Sequence, residues 1–177
     1  YKDKYVINPG FRYDGSSEYG LANKWGFRPI ISVAYFISKE PFMQRFNWLN
    51  DLKFRASYGQ VGKNPGNVLE SYSLYVGGAR YMDITGVKPK NIQLYNLTWE
   101  LLEKYNVAMD LYAFNNRLSA TVEYYTDITR GVLQKEYKIP SSTGYDYLKY
   151  FNDGIIENSG FEFQMNANVL KLNNIDF

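Results

Sequence analysis

The chain has 177 residues, a formal net charge of +2, 45% hydrophobic and 18% aromatic residues, and neither cysteine nor histidine. Lacking those two residue types, it builds no disulfide, no Ser-His-Asp or Cys-His catalytic unit, and no imidazole- or thiolate-bound metal. Its Lys and Arg are scattered, which gives no basic patch for nucleic acid, and no apolar run nears the roughly 18 residues of a transmembrane helix.

A period of two dominates the chain, as in a strand whose faces meet different media. The first such stretch is Tyr5–Tyr13, where Tyr5, Ile7, Phe11 and Tyr13 alternate with Asn8, Gly10 and Arg12. Asp14-Gly15-Ser16-Ser17 reads as a strand-ending turn, with Gly15 supplying a positive φ. The second stretch sets Ile31, Val33, Tyr35 and Ile37 against Ser32, Ala34, Phe36 and Ser38. After it, Pro41 is placed to open a helical turn with Phe42, Phe46 and Leu49 on one face. From Leu52 to Tyr58 the alternation is strict: Leu52, Phe54, Ala56 and Tyr58 against Lys53, Arg55, Ser57 and Gly59. Gly59, Gly62 and Gly66 lack the spacing of a phosphate loop.

The fourth stretch, Tyr105–Ala113, carries Tyr105, Val107, Met109 and Leu111 on one face. Asn115-Asn116 then predicts a tight hairpin turn, because Asn tolerates positive φ. In the fifth, Arg117–Thr126, Leu118, Ala120, Val122 and Tyr124 alternate with Arg117, Ser119, Thr121 and Glu123. The sixth, Phe161–Val169, sets Phe161, Phe163, Met165, Ala167 and Val169 against Glu162, Gln164, Asn166 and Asn168, and Lys171–Asn174 reads as a second tight turn.

Long polar connections follow the first, third and fifth strands (Asp14–Gly26, Val61–Thr98 and Asp127–Gly154), and short ones follow the others. All short turns thus lie at one end of the sheet and all long loops at the other, the asymmetry of an outer-membrane barrel. Tyr13, Tyr58, Tyr105, Tyr124 and Phe161 cluster at the long-loop ends of the apolar faces, as an interfacial aromatic girdle requires. The fold class expected is therefore all-β: an antiparallel, up-and-down transmembrane β-barrel. Six or seven strands do not close such a barrel, whose lower limit is about eight. With no initiator Met or signal peptide, the chain reads as an internal segment of a longer protein.

Ordered sequence stretches bear this out. Arg12-Tyr13-Asp14-Gly15-Ser16-Ser17, Trp25-Gly26-Phe27-Arg28-Pro29 and Ile37-Ser38-Lys39-Glu40-Pro41-Phe42 come first. Leu52-Lys53-Phe54-Arg55-Ala56-Ser57-Tyr58-Gly59, Leu97-Thr98-Trp99-Glu100, Asn116-Arg117-Leu118, Tyr124-Tyr125-Thr126 and Asn152-Asp153-Gly154 through Glu162 follow. In this order they resemble the SusC/RagA group of TonB-dependent outer-membrane transporters of Bacteroidota-type bacteria, over nearly the whole chain. The resemblance departs at Arg28, where an aromatic is common, and at Ile30, where Ser is common. It implies a late segment of a barrel of about 22 strands with a plugged lumen, residues 1–177 being part of the barrel domain and the plug lying elsewhere. It further implies import of oligosaccharides or oligopeptides, a SusD/RagB-like surface lipoprotein as partner, and energy from a TonB–ExbB–ExbD complex acting on the plug.

Under this reading Phe54, Ala56, Val107, Met109, Leu111, Ala120, Val122, Phe163 and Met165 face lipid. Lys53, Arg55, Arg117, Glu123 and Glu162 line the lumen, where charges are hydrated or paired. Tyr72, Tyr75, Tyr81 and Tyr95, in the longest loop, are candidates to touch substrate or partner, since aromatic rings stack on sugars and hydroxyls bond polar groups. No cofactor and no enzymatic nucleophile–base pair is expected. The rival reading is a soluble or surface β-sandwich that binds carbohydrate or protein. It differs in one respect: Phe54, Val122 and Phe163 would then be core between two sheets.

Overall fold

The computed structural model describes the chain except Leu21, 64–71, Asp146, 169–170, 173–174 and Phe177. For Ala79, Tyr81, Lys171, Leu172, Ile175 and Asp176 it describes the backbone alone. The strands are β1 (Tyr5–Gly15), β2 (Trp25–Phe36), β3 (Leu49–Lys63), β4 (Tyr75–Tyr81), β5 (Ile84–Pro89), β6 (Glu100–Ala113), β7 (Leu118–Arg130), β8 (Leu133–Lys138), β9 (Tyr147–Asn152), β10 (Ile155–Ala167), β11 (Lys171–Leu172) and β12 (Ile175–Asp176).

Six of them form one antiparallel sheet in the order β1-β2-β3-β6-β7-β10. All six predicted strands are present and run 11 to 15 residues, each prolonged at its long-loop end, while Ile37, expected in the second, belongs to the 3-10 turn that follows it. Backbone pairing continues where the apolar alternation has stopped. The periodicity therefore marks where the two media differ, not where the hydrogen bonds end.

The sheet has one apolar and one polar face. Direct pairing aligns Phe54, Met109, Val122 and Phe163 in one row, Ala56, Val107, Tyr124 and Phe161 in the next, and Leu52, Leu111, Ala120 and Met165 on the other side. No second sheet lies over the apolar face among the described residues. Phe54 is 37% exposed, Val122 43% and Phe163 68%. A sandwich would bury all three, so the architecture is an unclosed piece of barrel wall. β1 and β10 each carry one edge with no partner strand among the described residues.

At the short-turn end, Phe114, Asn115 and Asn116 all have positive φ (54°, 56° and 62°). The asparagines were expected there; a bulky Phe in this region is unusual. Its ring stacks on Trp48 at 5.8 Å. The two neighbouring turns are further tied by Phe114 N–H donating to the Trp48 carbonyl at 2.8 Å and Asn116 N–H donating to Asn50 Oδ1 at 3.2 Å.

Several expectations are corrected. Phe42, Phe46 and Leu49 share no α-helix; the segment makes two short 3-10 turns, Ile37–Lys39 and Met43–Arg45, and Leu49 already belongs to β3. Arg117 lies not within a strand but in the turn before β7. Two long connections are not irregular: β4 pairs β5 and β8 pairs β9 as hairpins. Gly15 has no positive φ. A Cβ there would instead sit 2.5 Å from the Trp25 ring, so its role is to admit that ring. Val169, Gly66 and the centre of the Lys171–Asn174 turn fall outside the described residues.

Candidate functional site

The polar face carries a connected set of charges. Asp110, only 5% exposed, is its centre. Arg55 binds it with both edges of a fork, Nε to Oδ2 at 2.7 Å and Nη2 to Oδ1 at 3.0 Å. Lys53 Nζ approaches Oδ2 at 3.2 Å, and the Thr121 hydroxyl donates to Oδ1 at 3.1 Å. Pairing puts Lys53 opposite Asp110 and Arg55 opposite Ala108. The small Ala108 lets the Arg55 side chain cross its own row and reach within 3.9 Å of Glu123, two strands away. Asn106 also donates to Glu123. Glu123 and Glu162 are direct cross-strand partners, an arrangement of like charges that is unfavourable without a cation nearby.

At the long-loop end the first, third and fifth connections fold into one cluster. Tyr19, Leu97 and Tyr150 are buried together, with Leu94, Trp99 and Leu133 packed around them. Tyr19 packs on the Trp99 ring at 4.1 Å and donates to the Lys63 carbonyl. Burial, the largest cause, and the neighbouring Glu18 push the Tyr19 phenol upward, so it remains a donor. The Trp99 indole N–H donates to the Asn23 carbonyl at 2.9 Å, and Gly20 N–H to the Leu97 carbonyl at 3.2 Å. Asn152 joins two loops: its Oδ1 accepts from Thr98 N–H at 2.9 Å, and its Nδ2 donates to the carbonyls of Thr98 and Gly131 at 2.9 Å each.

Arg28 lies under this cluster, 5% exposed, with its guanidinium 5.0 Å from the Trp99 ring. Nη1 donates to the Phe27 carbonyl at 2.9 Å; Nε and Nη2 are buried without a partner among the described residues. Gly26 and Gly62 make room for it, since a Cβ would stand 2.4 Å and 2.9 Å from the guanidinium. Beside the cluster is a cavity of about 470 Å³ lined by Leu94, Tyr95, Leu148, Tyr150 and Phe151.

Gly20 tests how tightly the loops interlock. A Cβ at that position would lie 1.9 Å from the Tyr95 carbonyl oxygen, a backbone atom that cannot swing aside. Gly20→Ala is expected to separate the first loop from the Leu94–Leu97 segment, at about 1–2 kcal/mol of local stability for an overpacked contact. Limited proteolysis of the folded protein should then cut the loops at least several-fold faster.

On the apolar face, aromatic residues come as cross-strand pairs. Tyr124 and Phe161 lie 4.8 Å apart, Tyr58 and Tyr105 4.8 Å, and Tyr13 and Trp25 5.3 Å. Polar residues begin directly beyond them. Thr126 and Ser159 follow the first pair, Gln60 and Glu103 the second. Gln60 Nε2 donates to Tyr58 Oη at 2.8 Å and to Glu103 at 3.1 Å, and Arg130 pairs with Glu103 at 3.1 Å.

The expected residues are thus distributed as follows. Phe54, Ala56, Val107, Met109, Leu111, Ala120, Val122, Phe163 and Met165 share the apolar face, and Lys53, Arg55, Glu123 and Glu162 the polar one. Of the loop tyrosines, Tyr95 lines the cavity and Tyr75 stands exposed on β4. Tyr72 lies before β4, where its carbonyl accepts from Asn91 at 2.8 Å. The Tyr81 backbone pairs with Ile84, and its ring lies outside the described residues. Asp110, Tyr19, Gly20, Arg28, Trp99 and Asn152 escaped sequence reasoning. Only Asp110 carried a usable signal, as the lone carboxylate on the polar side of the Tyr105–Ala113 alternation.

Comparison with known proteins gives concordant matches. The family model described as TonB dependent receptor-like, beta-barrel matches residues 1–176. TonB-dependent receptor P39 of Formosa agariphila is 35% identical over 171 residues, 97% of this chain and 16% of the relative. TonB-dependent receptor SusC of Bacteroides thetaiotaomicron is 31% identical over 175 residues, 93% of this chain and 17% of the relative. Among solved structures, the RagAB peptide importer in the "open-open" state superimposes with a TM-score of 0.87 and 26% identity, covering 98% of this chain and 19% of that one. The same importer in the "closed-closed" state gives 0.82. The chain therefore spans about a sixth of the length of the curated relatives it matches.

Proposed function

The chain belongs to the TonB-dependent receptor β-barrel family, and from that premise we propose that it forms part of the wall, lumen lining and outer loops of an outer-membrane importer of large nutrients. The apolar face meets lipid, the Asp110-centred face meets the lumen, and the interlocked loops lie outside the cell. The imported nutrient is an oligosaccharide or an oligopeptide. A SusD/RagB-like lipoprotein delivers it, and the TonB complex supplies energy through a plug beyond these residues. Tyr72, Tyr75, Tyr81 and Tyr95 remain the proposed aromatic contacts to nutrient or lipoprotein. The chain performs no covalent chemistry.

One observation carries this reading: the slant of the aromatic pairs. Ile31, Tyr58 and Tyr105 share a row that lies two residues beyond that of Tyr124 and Phe161, and Phe27, opposite Tyr13, lies four residues further along β2. From the β7–β10 pair to the β1–β2 pair the aromatic level thus climbs six residues over four strand spacings. At about 3.3 Å per residue and 4.8 Å between strands, that slope is a strand tilt of about 45°, the value for strands crossing an outer membrane. A girdle held at one depth accounts for such a staircase.

Cysteine labelling tests the sidedness, because the segment has no cysteine of its own. In the full-length protein in native outer membranes, Gln164→Cys is expected to react with a membrane-impermeant maleimide and Phe163→Cys only with a lipid-soluble one. Equal reactivity of both sites with the impermeant reagent would refute the assignment. Uptake of fluorescent oligosaccharides and oligopeptides by cells with and without the gene separates the two nutrient classes.

A further inference from the structure

We propose that the two short turns at the inner end of the sheet form a binding surface for anionic phospholipid headgroups of the periplasmic leaflet. This rests on the barrel reading above, which places those turns at the inner interface.

Three observations carry it. First, Phe42, Phe46, Trp48 and Phe114 are all exposed there. Phe46 meets Trp48 edge-on at 6.3 Å and Trp48 stacks on Phe114, so three of the rings form one joined platform. Second, the platform is rigid, because the 37–49 turn and the 114–117 turn are tied through Trp48, Asn50, Phe114 and Asn116. Aromatic rings fixed at the end of membrane-crossing strands settle at headgroup depth.

Third, the charge is one-sided. Arg45 and Arg117, one in each turn, are exposed and make no side-chain hydrogen bond or ion pair among the described residues. The carboxylates of these turns are already engaged. Glu40 binds Lys4 Nζ at 2.9 Å and accepts from the Tyr5 and Tyr35 hydroxyls at 3.2 Å each. Lys4 foremost holds the Glu40 carboxyl below its ordinary range, so it stays ionised and occupied. Asp51 accepts from the Ser38 hydroxyl. On the neighbouring N-terminal turn, Lys2 and Asp3 cancel in charge. Two free guanidiniums remain beside the aromatic platform. Guanidinium suits phosphate oxygens in a bidentate way, and the rings suit the glycerol and upper acyl region.

The test uses the full-length transporter, purified and exchanged into mixed micelles containing phosphatidylglycerol or phosphatidylcholine, with bound lipid counted by native mass spectrometry. The unmodified protein is expected to retain phosphatidylglycerol in preference to phosphatidylcholine. The Arg45→Gln/Arg117→Gln double variant should lose that preference by about thirtyfold, each basic residue near an anionic surface carrying its usual weight. Both arginines are exposed and unpaired, so the variant keeps its fold, which heat-modifiability on gels confirms. Equal retention of the two lipids by the unmodified protein would overturn the inference, as would an undiminished preference in the double variant. Cross-linking of the turns to a periplasmic protein in place of lipid would do the same. If Phe163→Cys labels as lipid-exposed while the lipid preference is absent, this inference alone fails and the barrel reading stands.

Discussion

A Val122→Arg substitution is expected to stop the full-length protein from accumulating in the outer membrane as a heat-modifiable, folded species. Val122 sits on the apolar face between Met109 and Phe163, one row inward of the Tyr124–Phe161 pair. An arginine at mid-depth on a lipid-facing strand costs about 2–4 kcal/mol. That is a large share of the 5–15 kcal/mol by which proteins typically exceed their unfolded state. The control belongs on the opposite face, and the structure decides which residue serves. Thr121 is unsuitable, because its hydroxyl binds Asp110 beside Arg55 and Lys53, where a third cation would be crowded. Ser119, opposite Tyr112 and Asn166 and clear of that set, is the better position. Ser119→Arg should assemble normally, and equal loss at both positions would contradict the assigned faces.

Asp110→Ala is expected to destabilise the wall by a comparable amount while leaving the apolar face untouched. The carboxylate holds a bidentate Arg55, Lys53 and the Thr121 hydroxyl at once. Removing one member of a buried charge set leaves the others uncompensated, at about 3–5 kcal/mol when burial is complete. Here Arg55 and Lys53 keep 39% and 26% of their side-chain exposure. Water recovers part of the loss, and about 2–3 kcal/mol remains. Urea unfolding of the protein folded into lipid vesicles would read it. Glu123→Gln should matter less, since Arg55 approaches Glu123 only at 3.9 Å. In a double-mutant cycle, Arg55→Met should cost much less in the Asp110→Ala background than in the unmodified protein. Additive losses would show that the fork contributes nothing beyond two separate side chains.

How much of this was legible in the sequence follows from what kind of signal each part leaves. Alternation exposed the six sheet strands, because two media on two faces impose a period of two on every residue. Asn115-Asn116 exposed a turn, because backbone handedness restricts residue choice. The charges at Lys53 and Arg55 could be placed on a face, but their partner could not, since pairing them with Asp110 requires the β3–β6 register. The loop cluster left no pattern. Tyr19, Leu97 and Tyr150 come from three different connections, and each looks like an ordinary loop residue until the chain brings them together. Gly20 and Gly62 were silent for the same reason: what a glycine makes room for is set by a residue far away in sequence. The helical turn expected after Pro41 was given one face with Phe42, Phe46 and Leu49 because their spacing fits an α-helix, whereas the segment makes two short 3-10 turns and Leu49 already belongs to β3. Arg117 was misplaced because its alternation continued smoothly into the hairpin.

Asn152 has a consequence for how the long-loop end of the sheet behaves. Its single amide grips Thr98 through both donor and acceptor and also holds Gly131, so the ends of two separate excursions are bolted to one side chain. Neither can swing without dragging the other. A visitor gripping one of them would be felt by both, and mutational drift in either must respect a shared hinge pin.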